Sequence, residues 1–128
     1  MTPRHLFVYG SLKRGSTVVE RSLLDVGARF VSEGSTTGEL YDLGDYPGLV
    51  PGENGRVQGE IYEMADPDRL LKALDRYEDA RPDGSGEYAR KILRATLVGG
   101  GATQDCWAYV YQRPLDNTAR IRSGVWKP

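Results

Sequence analysis

The chain has 128 residues, 39% of them apolar, and a formal net charge of −1 at neutral pH; this fits a single domain, 1–128, that buries its own core. The near-balanced charge gives no electrostatic footprint for a nucleic-acid or membrane partner, and the single cysteine, Cys106, excludes an intrachain disulfide. No stretch is long and apolar enough to cross a bilayer. The run Leu6 to Tyr9 is too short for a signal-peptide core, so a cytoplasmic location is expected.

In chain order, Leu6 to Tyr9 reads as a buried strand that ends at Gly10. A glycine-bracketed loop, Gly10 to Gly15, leads into a short helical pattern carrying Val18, Val19, Leu23 and Leu24. Short strands are expected at Arg29 to Val31 and at Gly38 to Leu43. The two prolines and two glycines between Asp45 and Asn54 predict loop and turn. Val57 to Met64 is β-like, with Val57 and Ile61 on one face and Tyr62 and Met64 on the other. Asp66 as N-cap and Pro67 at the first position open the clearest helix, with Leu70, Leu71, Leu74 and Tyr77 as its apolar stripe. It is expected to end near Glu78 or Asp79, ahead of Pro82, Gly84 and Gly86. Tyr88 to Val98 and Gln104 to Tyr111 read as a hairpin around Gly99-Gly100-Gly101, followed by a polar tail. Strands and helices do not alternate, so the expected class is α+β with a largely antiparallel, curved sheet.

Two places can carry chemistry. The first is the glycine loop, where a strand turns into a helix and backbone N–H groups can form an anion-binding nest. Its spacing resembles a phosphate-binding P-loop, but Ser16 stands where that motif needs lysine. A plain strand-to-helix turn remains the alternative. The second is Glu78, four residues after Leu74 and seven after Leu71, which places it on the apolar face of its helix. Partial desolvation and the negative end of the helix dipole both disfavour ionisation there, which suits a carboxylate to acid–base work near neutral pH. An end residue whose head reaches water is the alternative.

Other residues offer less. His5 is the only histidine, and no Cys and His spacing suits a metal. Cys106, beside Trp107 in an expected strand, reads as a buried inert thiol. Arg90 and Arg94 alternate with apolar neighbours and read as a solvated strand face. Several of the eight tyrosines fall in or beside strands as core or rim aromatics.

Six segments together resemble a known family. Phe7-Val8-Tyr9-Gly10-Ser11-Leu12-Lys13-Arg14-Gly15 is similar to the opening strand and loop of γ-glutamylcyclotransferase-like proteins, in the branch that includes γ-glutamylamine cyclotransferases and AIG2-like proteins. Asp45 to Val50 resembles that branch's Tyr-Pro loop, and Val57 to Tyr62 its Val-x-Gly-Glu strand. Leu74 to Glu78 resembles its Leu-Asp-x-aromatic-Glu helix end, Glu87 to Arg90 its Tyr-x-Arg strand, and Ile121 to Trp126 its closing segment. The sequence departs from the pattern after the glycine loop, where Ser16, Thr17 and Val18 stand in a region often carrying asparagine, and at Val125, often aspartate.

The resemblance implies a small, mixed, largely antiparallel barrel-like sheet with flanking helices. It implies an enzyme that releases 5-oxoproline and a free amine or amino acid from a γ-glutamyl compound, by attack of the substrate's own α-amine. Glu78 would be the catalytic acid/base. Tyr9, Gly10, Ser11 and Leu12 would hold the substrate, with Tyr88 and Tyr109 as pocket tyrosines. No metal or other cofactor is implied, and the partner is a small γ-glutamyl molecule. The alternative is a non-catalytic protein that binds a small molecule in the same pocket.

Overall fold

The computed structural model describes residues 2–10, 12–16, 20–115 and 118–127. Its elements are β1 (His5–Val8), α1 (Arg21–Gly27), β2 (Ala28–Asp42), β3 (Pro47–Met64), α2 (Pro67–Tyr77), β4 (Tyr88–Leu97), β5 (Thr103–Tyr111) and β6 (Ala119–Arg120). The strands lie in the order β3-β1-β5-β4-β2, and β2 pairs again with β3, which closes a five-stranded barrel. β6 is appended to β2 at Tyr41 and Asp42. Every pairing is antiparallel except β1 with β5, where Leu6 lies opposite Trp107.

Alternation along the strands sorts the apolar side chains into two cores. Phe7, Leu40, Leu49, Val57, Ile61, Cys106, Ala108 and Val110 form one cluster, closed by Trp126. Leu6, Val8, Tyr62 and Met64 point the other way, onto Leu24 of α1 and Leu70, Leu71 and Leu74 of α2. The two faces of β3 therefore divide as period-two reasoning requires.

The stretch 45–54 differs from expectation. Its turn is short, with the Leu43 N–H donating to the Tyr46 carbonyl at 3.0 Å. Pro47 to Pro51 then pair with Gly38 to Asp42, and residues 52–55 are looped out before pairing resumes at Arg56 and Thr37. Pro47 is tolerated as the first residue of a strand and Pro51 next to an irregularity, the positions where a missing donor costs least. The expected strands at 29–31 and 38–43 are parts of the single long β2. Of the expected helix after the glycine loop, Val18 and Val19 lie outside the described residues, and α1 begins at Arg21.

The polar tail also folds back. The Gln58 N–H donates to the Gly124 carbonyl at 2.8 Å, and Trp126 is buried against the inner cluster. No helix among the described residues is long and apolar enough to cross a membrane.

Candidate active site

α2 starts as its sequence dictates, with the Asp66 carboxylate accepting the Arg69 N–H at 3.4 Å and Pro67 in the first turn. Its end is less usual. The Ala80 N–H returns to the Asp75 carbonyl at 2.8 Å and the Asp79 N–H to the Arg76 carbonyl at 3.3 Å. This is a Schellman closure, which needs a left-handed residue after the cap. Asp79 fills that place at φ 52°, a conformation aspartate tolerates better than most residues. Its carboxylate then accepts Arg81 Nε–H at 2.9 Å and the Glu87 N–H at 3.2 Å. The chain thus doubles back between 79 and 87, and Gly86 is required there, because a Cβ would sit 1.7 Å from the Asp79 carbonyl oxygen. The consequence is that Glu78 and Glu87, nine residues apart, face one cavity.

That cavity measures about 150 Å³ and lies where the end of β1, the start of β3, the start of β4 and the C-terminus of α2 converge. Of the residues expected at the site, Tyr9, Gly10, Leu12, Glu78, Tyr88 and Tyr109 line it; Ser11 lies outside the described residues. Gly10 lets the Tyr46-Pro47 corner close over β1, since a Cβ there would lie 2.9 Å from Pro47 Cγ. The turn after β1 is closed by the Lys13 N–H to the Gly10 carbonyl at 3.1 Å. Such a turn uses only its fourth N–H, so the Leu12 amide, third in the turn, is not consumed by it.

Glu78 is half-buried. Burial first, and the Glu87 carboxylate second, push its carboxyl up from 4.5 to about 7. No described donor opposes this rise with a hydrogen bond to the ionised form.

The tyrosine hydroxyls around Glu78 have their protons committed elsewhere. Tyr9 Oη–H donates to the Tyr109 carbonyl at 2.5 Å, and its oxygen accepts the Leu49 N–H at 3.2 Å. Tyr88 Oη–H donates to the Pro47 carbonyl at 2.6 Å. Tyr109 Oη–H donates to Asp75 Oδ1 at 2.7 Å, and that carboxylate is gripped by Arg90 at 2.9 and 3.3 Å. All three phenols are raised well above their ordinary value, by burial first, with nearby Glu78 contributing. To a ligand, Tyr88 and Tyr109 therefore present lone pairs, not protons. Tyr9 has little left to offer from its hydroxyl and meets the cavity with its ring and backbone.

Arg90 corrects the sequence reading. It is half-buried, forked onto Asp75, with its guanidinium 4.4 Å from the centre of the Trp107 ring. Cross-strand neighbours and the helix above supply these partners, and alternation within β4 cannot show them. Arg94 does face solvent, paired with Asp105 at 3.2 Å. Cys106 is buried, with its thiol pushed up to about 12 by burial. His5 lies away from the cavity, 3.9 Å from Glu63. Among the described residues, no group of three or more His, Cys, Asp or Glu is placed to hold a metal.

Tyr46, Pro47, Tyr77 and Glu87 also line the cavity and were not singled out as site residues from sequence. Tyr46, Pro47 and Glu87 fall inside segments that carried the family resemblance, and this was the available signal.

Comparison with known proteins gives a consistent result. Residues 6–128 match the family model described as gamma-glutamyl cyclotransferase, AIG2-like. A γ-glutamylcyclotransferase family protein of Escherichia coli (strain K12) is 40% identical over 124 residues, covering 94% of each chain. The crystal structure of an AIG2-like protein from Mus musculus superposes with a TM-score of 0.70 at 32% identity, over 89% of this chain and 82% of that one. The solution structure of an Escherichia coli protein superposes at 0.64 with 35% identity, over 95% of both chains.

Proposed function

Since the chain belongs to the AIG2-like γ-glutamyl cyclotransferase family, we propose that it cyclises a γ-glutamyl compound to 5-oxoproline and a free amine, with Glu78 moving the proton. The observation that carries this reading is the Glu78 carboxyl, set in the wall of a cavity and raised to about 7. A carboxylate of that basicity is poised to accept and return a proton near neutral pH.

The donor and acceptor pattern orients the substrate. An α-ammonium carries three donors and fits a wall offering the Glu78 carboxylate and the lone pairs of Tyr88 and Tyr109. An α-carboxylate needs donors, which the backbone of the turn after Tyr9 supplies. With both ends held, the α-nitrogen lies against the substrate's own γ-carbonyl. Glu78 takes a proton from the ammonium, the freed amine attacks the carbonyl carbon of the γ-amide, and a five-membered ring closes through a tetrahedral intermediate. The protonated Glu78 then gives its proton to the departing nitrogen as the original amide C–N bond breaks, takes up the extra proton left on the ring nitrogen, and passes it to the released amine, which leaves as an ammonium ion. The step consumes no water and needs no cofactor, and most of its acceleration comes from fixed orientation.

The test is mass spectrometry of 5-oxoproline from a panel of γ-glutamyl compounds, using wild type and Glu78→Gln. Product from wild type alone is the expected result. Equal turnover by Glu78→Gln would sink the mechanism. Thermal stabilisation by panel members without product from either protein would show a binding protein in place of an enzyme.

A further inference from the structure

The mouth of the cavity carries a charge that helps to raise Glu78 but takes no part in moving the proton. Glu87 lines the wall, half-buried, and its Oε2 accepts the Tyr46 hydroxyl proton at 2.7 Å. Tyr46 is 38% exposed, so this pair marks the side that opens to solvent. The basic residues of the neighbouring loop are engaged elsewhere: Arg81 with Asp79 at 2.9 Å, and Arg113 with the carbonyls of Ser85 and Gly86. No lysine, arginine or histidine lines the cavity among the described residues. Glu87 is thus a carboxylate at an entrance, fixed by a hydroxyl and without an ion-pair partner among the described residues.

Cavity size decides what meets it. A space of about 150 Å³ suits a group about as large as a benzene ring. That accommodates the glutamyl part beside Glu78, and the chain of the departing amine must run out past Tyr46 and Glu87.

We propose that Glu87 is a specificity-determining residue, selecting γ-glutamyl amides whose departing amine bears a second positive charge at its far end. Diamines and polyamines are of this class, and amines ending in a carboxylate are disfavoured. This rests on the cyclotransferase reading for the direction in which the substrate lies.

Three probes differ only at the far end: γ-glutamylcadaverine with an ammonium, γ-glutamylhexylamine with a methyl, and γ-glutamyl-6-aminohexanoate with a carboxylate. Dissociation constants are measured by calorimetry in Glu78→Gln and in Glu78→Gln/Glu87→Gln, and kcat/KM for 5-oxoproline in wild type and Glu87→Gln. Comparing substrates within one protein cancels whatever Glu87→Gln does to Glu78. The expected order is ammonium, then methyl, then carboxylate, with steps of about threefold or more at low ionic strength that shrink with salt. Glu87→Gln collapses the steps. The same order persisting in Glu87→Gln proteins overturns the proposal, as does equal affinity for all three probes or no binding of any. Ranked binding without 5-oxoproline from any probe would sink the cyclisation reading and leave the selection by Glu87 standing.

Discussion

Glu60 and Glu78 are carboxylates turned toward the interior, and their surroundings differ in one respect. Glu60, on β3, is 7% exposed and accepts three protons: the Arg14 N–H at 2.9 Å, Arg14 Nε–H at 3.2 Å and the Tyr62 hydroxyl at 3.0 Å. Arg14 is itself stacked over the Phe30 ring at 3.8 Å. Glu78 is buried less completely, yet no described donor reaches it, and the hydroxyls around it give their protons to other acceptors. Burial with partners makes Glu60 a brace that ties the turn after β1 to the barrel. Burial without a hydrogen-bond donor among the described residues, with the Glu87 carboxylate nearby, leaves Glu78 basic, which is the condition for moving protons. The comparison teaches that an acceptor's neighbours, more than its depth, decide whether an interior carboxylate is tied up in hydrogen bonds or left basic.

The largest effect that sharpens this contrast is kinetic. Glu78→Gln is expected to lose 5-oxoproline formation by about a thousandfold, within the range that acid–base catalysis supplies, while near- and far-ultraviolet dichroism stay native. Glu60→Ala is expected to do the reverse. It leaves the Arg14 N–H and the Tyr62 hydroxyl proton without their acceptor and costs about 2–3 kcal/mol in urea unfolding. A Glu60→Ala protein as stable as wild type would break the distinction.

The pH dependence tests the same contrast through stability. With its carboxyl raised from 4.5 to about 7, folded Glu78 keeps a proton across a window in which the unfolded chain has lost it. Stability contributed by this group is therefore full below 4.5, falls as pH rises toward 7, and is flat above. Glu78→Gln removes the titration. Its unfolding free energy should gain on wild type by on the order of 2 kcal/mol between pH 4.5 and pH 8, read from paired denaturant curves. The acid limb of kcat/KM should fall near 7 in wild type. A parallel pair of stability curves would refute the raised pKa. The smallest effect concerns the wall: Tyr109→Phe removes one hydroxyl acceptor and is expected to raise KM about fivefold, with a smaller change in kcat.

Glu78 was legible because its position depends on one helix. The stripe Leu70, Leu71 and Leu74 is local, and a 3.6-residue period carries the carboxylate to the same face. The two faces of β3 were legible for the same reason. Glu87 was not, because it reaches the cavity through the left-handed Asp79 and the close approach at Gly86, which no periodicity encodes. Arg90 was misread because its partners, Asp75 and Trp107, belong to α2 and β5. The prolines of 45–54 signalled a turn correctly at 43–46, but proline at a strand start leaves no pattern that separates it from loop. What the residues encode locally survived, and what depends on strands meeting across the barrel did not.

The parallel seam between β1 and β5 has a consequence for how the molecule comes into being. β1 precedes both of its neighbours in the chain, and it slots between β3 and β5, with Leu6 facing Tyr62 on one side and Trp107 on the other. During synthesis Tyr62 follows Leu6 by 56 residues and Trp107 follows it by 101. The β2–β3 and β4–β5 hairpins can form from near neighbours, but ring closure must bear the entropy of a very long loop. The cavity wall includes Tyr9 beyond one end of that seam and Tyr109 on β5, so the site cannot assemble until β5 has been made.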